Sequence, residues 1–183
     1  MRVMPLSRPD FARVGILGGG QLGRMMILAG APLGFRFGVL TPRADDPAAG
    51  LADHHVAGAL DDATAIRALT SWADVATYEI EHIDTDALEA AEADGDLILP
   101  RPALLRTIND KLEQKRALHR AGVPVPAFAA TANGYPVVQK LRRGGYDGRG
   151  VSVLRSEADG VLPGASLCEE LLHLAYELAI SVA

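Results

Sequence analysis

Apolar residues along the chain fall first at spacings of three and four between short β-branched runs, and later in strand-like alternation. Arg13-Val14-Gly15-Ile16-Leu17 reads as a short strand. After Gly18-Gly19-Gly20-Gln21-Leu22-Gly23, the residues Leu22, Met25, Met26 and Ala29 form the stripe of an amphipathic helix. Gly34 ends that helix, and Phe35 to Leu40 is predicted as the next strand. Residues 45–55 read as a loop with short helical character. Asp61 or Asp62 is placed to cap a helix whose inner face is Ala65, Ile66, Leu69 and Ala73. Asp74 to Ile80 reads as a strand, Asp84 caps a helix carrying Leu88 and Ala91, and Leu97-Ile98-Leu99 reads as a fifth short strand. This order predicts an α/β fold with a doubly wound parallel sheet that ends near residue 100.

The pattern changes after Pro100 and Pro102, which read as punctuation. Asn109 to Arg116 begins a charged helix that ends before Gly122, and Val123-Pro124-Val125-Pro126 is extended. Strands are predicted over 136–140, 151–154 and 166–172, with a turn at Pro163-Gly164. Tyr176 to Ala183 alternates and is predicted as one more strand. The second part is therefore a mostly antiparallel α+β unit. Three regions follow: a leader over 1–12, a parallel-sheet domain over 13–107, and an incomplete second domain over 108–183. A sheet that stops on a bare strand lacks its next partner, which predicts the front part of a larger protein or a remnant of one.

Composition narrows the function. The 183 residues are 49% hydrophobic, enough for a core, but only 5% aromatic, so Ala, Leu and Val must build it. The net charge of −5 argues against nucleic-acid binding, which wants a basic face. Cys168 is the only cysteine and reads as a small buried hydrophobe; no disulfide framework exists, and a reducing cytoplasm is the expected location. No stretch is long and apolar enough for a membrane span.

One local exception to the acidic balance carries chemistry. From Lys140 to Val151, four glycines (Gly144, Gly145, Gly148, Gly150) are interleaved with Arg142, Arg143, Tyr146, Asp147 and Arg149, between two predicted strands. Glycine lets the backbone take positive φ and approach a ligand closely. Backbone N–H groups beside Lys and Arg trap anions, phosphate above all. The segment is not a Walker loop, because no Gly-Lys-Ser/Thr and no helix follow it.

Gly18, Gly20 and Gly23 match G-x-G-x-x-G, a weak signal by itself. A dinucleotide site wants an acid closing the second strand, but Thr41-Pro42 stands there and Asp45 and Asp46 come late. An NAD-dependent dehydrogenase is therefore the lesser reading, and the turn stays open to one phosphate or a polar heterocycle. In a strand, Glu79 and Glu81 share one face at the end where open α/β sheets bind ligands; Glu81 reads equally well as a solvated strand-end charge. His54 and His55 lack a third ligand at useful spacing and are taken as surface or loop residues. No metal site is predicted among these residues.

Four segments in order carry a resemblance: Gly15-Ile16-Leu17-Gly18-Gly19-Gly20-Gln21-Leu22-Gly23-Arg24-Met25-Met26, then Thr77-Tyr78-Glu79-Ile80-Glu81-His82-Ile83, then Asp110-Lys111-Leu112-Glu113-Gln114-Lys115, and last Lys140 with Gly144 to Gly150. From about Val14 to Ala183 the chain resembles the 5-(carboxyamino)imidazole ribonucleotide synthases of the ATP-grasp superfamily. The resemblance implies a Rossmann-like lead domain followed by the first part of an ATP-grasp module. It implies ATP- and bicarbonate-dependent carboxylation of 5-aminoimidazole ribonucleotide through carboxyphosphate, in purine biosynthesis.

It also implies roles for particular residues. Lys111 and Lys140 resemble ATP-contacting cations, and Gly145, Tyr146, Asp147, Gly148, Arg149, Gly150 and Val151 the loop that covers ATP. Glu169, Glu170, Leu171 and Leu172 resemble the adenine hinge, and Glu177 the carboxylate on the ribose. Gln21, Leu22 and Glu79 resemble contacts to the ribonucleotide, reached from the loop by the catalytic candidates Tyr146, Asp147 and Arg149. The family is about twice this long. Its magnesium ligands are expected beyond Ala183, so this chain alone is expected to be inactive or nearly so. A homodimer is implied by analogy only. The alternatives are a formate-dependent glycinamide ribonucleotide formyltransferase, against which Gln21 and the loop sequence argue, and a non-catalytic nucleotide-binding fragment.

Overall fold

Strands β1 (Arg13–Leu17), β2 (Arg36–Thr41), β3 (His54–Ala57) and β4 (Val75–Tyr78) form a parallel sheet in the order β3-β2-β1-β4 in the computed structural model. The structure describes residues 13–145 and 148–180. The expected leader over 1–12, the candidates Tyr146 and Asp147, and residues 181–183 lie outside the described residues.

Sheet register explains the first core. Ile16 pairs with Val39 and Leu17 with Leu40, and successive side chains point to opposite faces. On one face Ile16, Phe37 and Val39 pack with Ile27 of helix α1 (Gln21–Gly30) and Ala48. On the other, Leu17 and Leu40 pack with Ile66 and Leu69 of α2 (Ala63–Trp72), Leu88 of α3 (Thr85–Ala93), and Leu105 of α4 (Pro102–Ile108). Both faces of the sheet are therefore covered, as a doubly wound parallel sheet requires. Fully burying each of these Leu and Ile side chains contributes about 1.5–3 kcal/mol. Asp62 caps α2 by accepting from Thr64 N–H at 2.9 Å and Ala65 N–H at 3.2 Å, and Asp84 caps α3 in the same way through Asp86 and Ala87. Gly34, at φ +92°, closes the short 3-10 turn that follows α1.

Several expectations are corrected in this unit. The segment over 45–55 is not all loop: His54 and His55 lie in β3, which pairs with β2. His54 stacks on Trp72 with ring centroids 4.9 Å apart, and His55 Nε2 donates to the Thr41 carbonyl at 3.0 Å. Residues 97–99 make only an isolated parallel bridge, Ala76 to Ile98, so no full fifth strand forms. The strand read over 74–80 ends at Tyr78, so Glu79 and Glu81 do not share a strand face. Pro102 opens α4 rather than breaking the chain, because its missing N–H costs nothing at a helix start.

The chain divides into two units after Arg106. The second contains α5 (Lys111–Arg120) and an antiparallel sheet of β5 (Phe128–Ala129), β6 (Val137–Leu141), β7 (Val151–Leu154) and β8 (Ser166–Glu170), in the order β5-β8-β6-β7. β5 falls just after the segment read as extended, and β8 stops at Glu170, two residues short of its expected end. Tyr176 to Ile180 is not a strand. Among the described residues it has no ladder partner, and Tyr176, Leu178 and Ile180 are exposed, so its alternation is not matched by a second strand.

Candidate functional site

In the first unit, the glycine turn after β1 is closed by an acid. Gly18, at φ +116°, donates to the Leu40 carbonyl at 3.0 Å, and Ala48 N–H donates to the Gly19 carbonyl at 2.9 Å. Glu79 follows β4 directly, and its N–H donates to the Leu17 carbonyl at 3.2 Å. That places it at the carboxyl ends of β1 and β4, where the strand order reverses. Its carboxylate accepts from the N–H of Gly20 through Oε1 and of Gly23 through Oε2. These donors sit at the N-terminus of α1, so the positive end of the helix already holds an anion. A Cβ on Gly20 would stand 2.8 Å from Oε1 and one on Gly23 3.2 Å from Oε2, so a side chain at either position would crowd the carboxylate.

The expectation that this turn is open to a phosphate is thereby corrected. A phosphate would compete with Glu79 for the same donors and meet its charge. The turn instead offers a carboxylate acceptor beside the exposed Gln21 and Leu22 at the start of α1. Thr41, the last residue of β2, is buried and donates through its hydroxyl to Asp46, and β2 itself contains no acid. Glu81 is exposed, 3.8 Å from His82 Nδ1. Burial pushes the Tyr78 phenol up, and its hydroxyl has no hydrogen-bond partner among the described residues.

In the second unit the glycine hairpin joins β6 to β7, with Leu141 N–H donating to the Gly150 carbonyl at 2.8 Å. Gly144, Gly148 and Gly150 take φ of +72°, +80° and +70°, and a Cβ on Gly145 would stand 2.8 Å from the Arg149 carbonyl. Only glycine fits this backbone without strain.

The cations around the hairpin are held in distinct ways. Lys111 opens α5; its N–H donates to the Arg142 carbonyl at 2.9 Å and its Nζ to the Gly145 carbonyl at 3.0 Å. Lys140 Nζ donates to Glu169 Oε2 at 2.8 Å. Glu169 is buried, with Lys115 Nζ 3.4 Å from its Oε1. Asp110, also buried, caps α5 and accepts a two-pronged contact from Arg142, at 2.9 and 2.6 Å. Burial pushes the Asp110 carboxyl up, but hydrogen bonds from Arg142 and from Glu113 and Leu112 N–H outweigh it and hold the carboxyl below its usual range.

Of the residues singled out in the sequence, Lys111, Lys140, Gly145, Gly148, Arg149, Gly150, Val151 and Glu169 gather at the hairpin and its flanking strands. Val151 pairs with Lys140, and the Arg149 side chain is exposed. Glu170 pairs with Val137 at the far end of β8 and borders a cleft of about 380 Å³ lined also by Phe128, Tyr135 and Cys168. Leu171 is half-buried. Leu172 and Glu177 are exposed, and no hydrogen bond or ion pair joins Glu177 to Lys140 among the described residues. Sequence reasoning named Lys115, Asp110 and Arg142 within its motifs but did not predict the pairing of Asp110 with Arg142 or of Lys115 with Glu169. The i, i+4 spacing of Lys111 and Lys115, and an aspartate directly before a charged helix, were the available signals.

The hairpin fits a polyphosphate. Lys115 and Lys140 share one carboxylate, Glu169, and Lys111 Nζ donates to a main-chain carbonyl that a phosphate oxygen can replace. Magnesium does not fit the described residues, among which no group of three His, Cys, Asp or Glu could hold a metal ion.

A doubly wound sheet with an acid-closed glycine turn, followed by an antiparallel unit with a lysine-flanked glycine hairpin, defines a class. Residues 11–109 match the family model of the ribonucleotide synthetase preATP-grasp domain, and the chain belongs to that family. Among curated proteins it is similar to N5-carboxyaminoimidazole ribonucleotide synthase of Synechococcus elongatus, 42% identical over 93% of this chain and 47% of that protein. Among solved structures it is similar to the Thermotoga maritima N5-carboxyaminoimidazole ribonucleotide synthetase, with TM-score 0.83 and 36% identity over 90% of this chain and 47% of the other. It is also similar to the Aspergillus clavatus synthase in complex with ADP and 5-aminoimidazole ribonucleotide, with TM-score 0.79 and 30% identity over 91% and 48%. The chain spans about half the length of the curated relatives it matches. No helix among the described residues is long and apolar enough to cross a membrane.

Proposed function

We propose that these 183 residues carry the ribonucleotide-binding unit and the first part of the ATP-binding unit of an N5-carboxyaminoimidazole ribonucleotide synthase. The reaction carboxylates the exocyclic amine of 5-aminoimidazole ribonucleotide with bicarbonate, and converts ATP to ADP and phosphate. The observation that carries the reading is the gathering of Lys111 and Lys140 on one glycine hairpin, in a chain whose lead unit belongs to the ribonucleotide synthetase family. The domain division at 107/108 is part of the same proposal.

Lys111, Lys140 and the N–H groups of Gly145, Gly148, Gly150 and Val151 hold phosphate oxygens and offset the charge that develops on them. Arg149, Tyr146 and Asp147 are the proposed catalytic groups, with the task of keeping water from a labile intermediate. Main-chain groups of Glu169 to Leu172 hold adenine, and Glu177 the ribose. At the other turn Glu79 accepts from donors of the ribonucleotide, beside Gln21 and Leu22. ATP supplies the activating phosphoryl group. Magnesium is proposed for the complete enzyme, with no step assigned to it on these residues. The partners proposed are the two substrates and a second copy of the enzyme, in the cytoplasm.

Equilibrium dialysis of the chain against ADP and against 5-aminoimidazole ribonucleotide tests the reading. Saturable binding of both, without ADP release by this chain alone, is the expected result. A chimera joining residues 1–183 to the unmatched half of the Synechococcus elongatus relative should release ADP only when bicarbonate and the ribonucleotide are both present. ADP release independent of the ribonucleotide would overturn the assignment.

A further inference from the structure

Asp110 carries more polar contacts than any lysine around the hairpin, yet it is only 4% exposed, and its carboxylate is occupied by protein donors. Oδ1 accepts from Leu112 N–H at 3.1 Å and Glu113 N–H at 3.3 Å. The same carboxylate accepts from Arg142 Nε at 2.9 Å and Nη2 at 2.6 Å, and Arg143 Nε stands 3.6 Å away. Arg142 is itself fixed through its main chain. Its carbonyl accepts from Lys111 N–H at 2.9 Å, and its N–H donates to the Ala165 carbonyl at 2.9 Å. Arg142 directly follows β6 and forms the root of the glycine hairpin. One buried carboxylate therefore joins the helix turn that carries Lys111 to the root of a hairpin 32 residues further along the chain.

The geometry points to Asp110 as a positioning residue of the nucleotide site: through Arg142 it sets the Lys111 ammonium against the hairpin, and it touches no nucleotide itself. This rests on reading the hairpin as the nucleotide loop. The competing role is that of a simple helix cap. A cap needs one acceptor oxygen, which Asn also supplies, whereas the two-pronged Arg142 contact needs both oxygens of a carboxylate. Asp110→Asn therefore separates the two.

The test combines amide hydrogen exchange with ADP titration of the 183-residue chain, for wild type, Asp110→Asn, Arg142→Gln and the double variant. In Asp110→Asn the Leu112 and Glu113 amides should keep their protection. The Lys111 and Leu141 amides should exchange about tenfold faster, and ADP affinity should fall about tenfold, as loss of a charge-assisted contact implies. Arg142→Gln should reproduce both effects, and the double variant should add less than about twofold. Wild-type exchange at Lys111 and Leu141 with wild-type ADP affinity would overturn the proposal; so would loss of protection confined to Leu112 and Glu113. If wild type fails to bind ADP, the nucleotide reading fails, and Asp110 as a positioning residue of that site falls with it. If Asp110→Asn does not fold, Arg142→Gln, whose cap is intact, decides.

Discussion

Lys140 donates to the buried carboxylate of Glu169 at 2.8 Å, and Lys115 approaches the other oxygen of that carboxylate at 3.4 Å. Register puts the pair together: Val138 lies opposite Glu169 and Lys140 opposite Leu167, so Lys140 and Glu169 share one face of the sheet. Glu169 thus links a strand lysine to a helix lysine by its side chain, while its main chain is the proposed adenine contact. Glu169→Gln removes the charge and leaves two ammonium groups facing an amide. Urea unfolding should show a loss on the order of 2 kcal/mol, below the full cost of breaking a buried pair because Lys140 stays partly exposed. Unchanged stability would mean the carboxylate is not holding the lysines.

The glycine turn of the first unit makes a different demand. Gly18 has φ +116°, and a Cβ there would stand 2.8 Å from Glu79 Oε1. Gly18→Ala should therefore cost about 1–3 kcal/mol through backbone strain and displacement of Glu79. Ribonucleotide binding should weaken with it, while ADP binding is spared. A variant with wild-type melting temperature and ribonucleotide affinity would contradict the placement of Glu79.

Cys168 is 6% exposed, and burial pushes its thiol above the ordinary range. A buried, protonated thiol is a poor nucleophile. Reaction with a disulfide reagent near neutral pH should be slow in the folded chain and fast in denaturant. Equal rates in both would show that β8 does not cover this residue.

Asp110 also predicts a pH dependence. Its carboxyl is held below the ordinary value of 3.8, so its contribution to stability is present above that value and is lost as pH falls through the folded one. The stability difference between wild type and Asp110→Asn should be largest near about pH 6 and should shrink toward about pH 3. A difference that grows on acidification would contradict the pairing with Arg142.

The parallel sheet and the hairpin were legible because local signals agreed with tertiary ones. Val14, Ile16 and Leu17 before a glycine turn, and four glycines between β-branched runs, leave few alternatives. β3 was not legible: His54-His55-Val56-Ala57 lacks alternation and is held by its ladder to β2. Tyr176 to Ile180 failed the other way, since alternation makes a strand only when a partner supplies hydrogen bonds. Lys111, Lys140 and the hairpin could be read as a site from chemistry and order. What holds them could not, because Asp110 meets Arg142 and Lys140 meets Glu169 across 32 and 29 residues of sequence. The closure of the glycine turn by Glu79 was equally invisible, because the partners are brought together by the pairing of β1 with β4.

The central claim is that the hairpin binds the phosphates of a nucleotide and the Glu79 turn binds the other substrate. Calorimetric titration of ADP and of 5-aminoimidazole ribonucleotide into wild type, Lys140→Ala and Glu79→Gln tests it most directly. Lys140→Ala should weaken ADP by about tenfold or more and leave the ribonucleotide unchanged; Glu79→Gln should do the reverse. Undiminished ADP binding by Lys140→Ala, or loss of ADP binding in Glu79→Gln, would contradict the account.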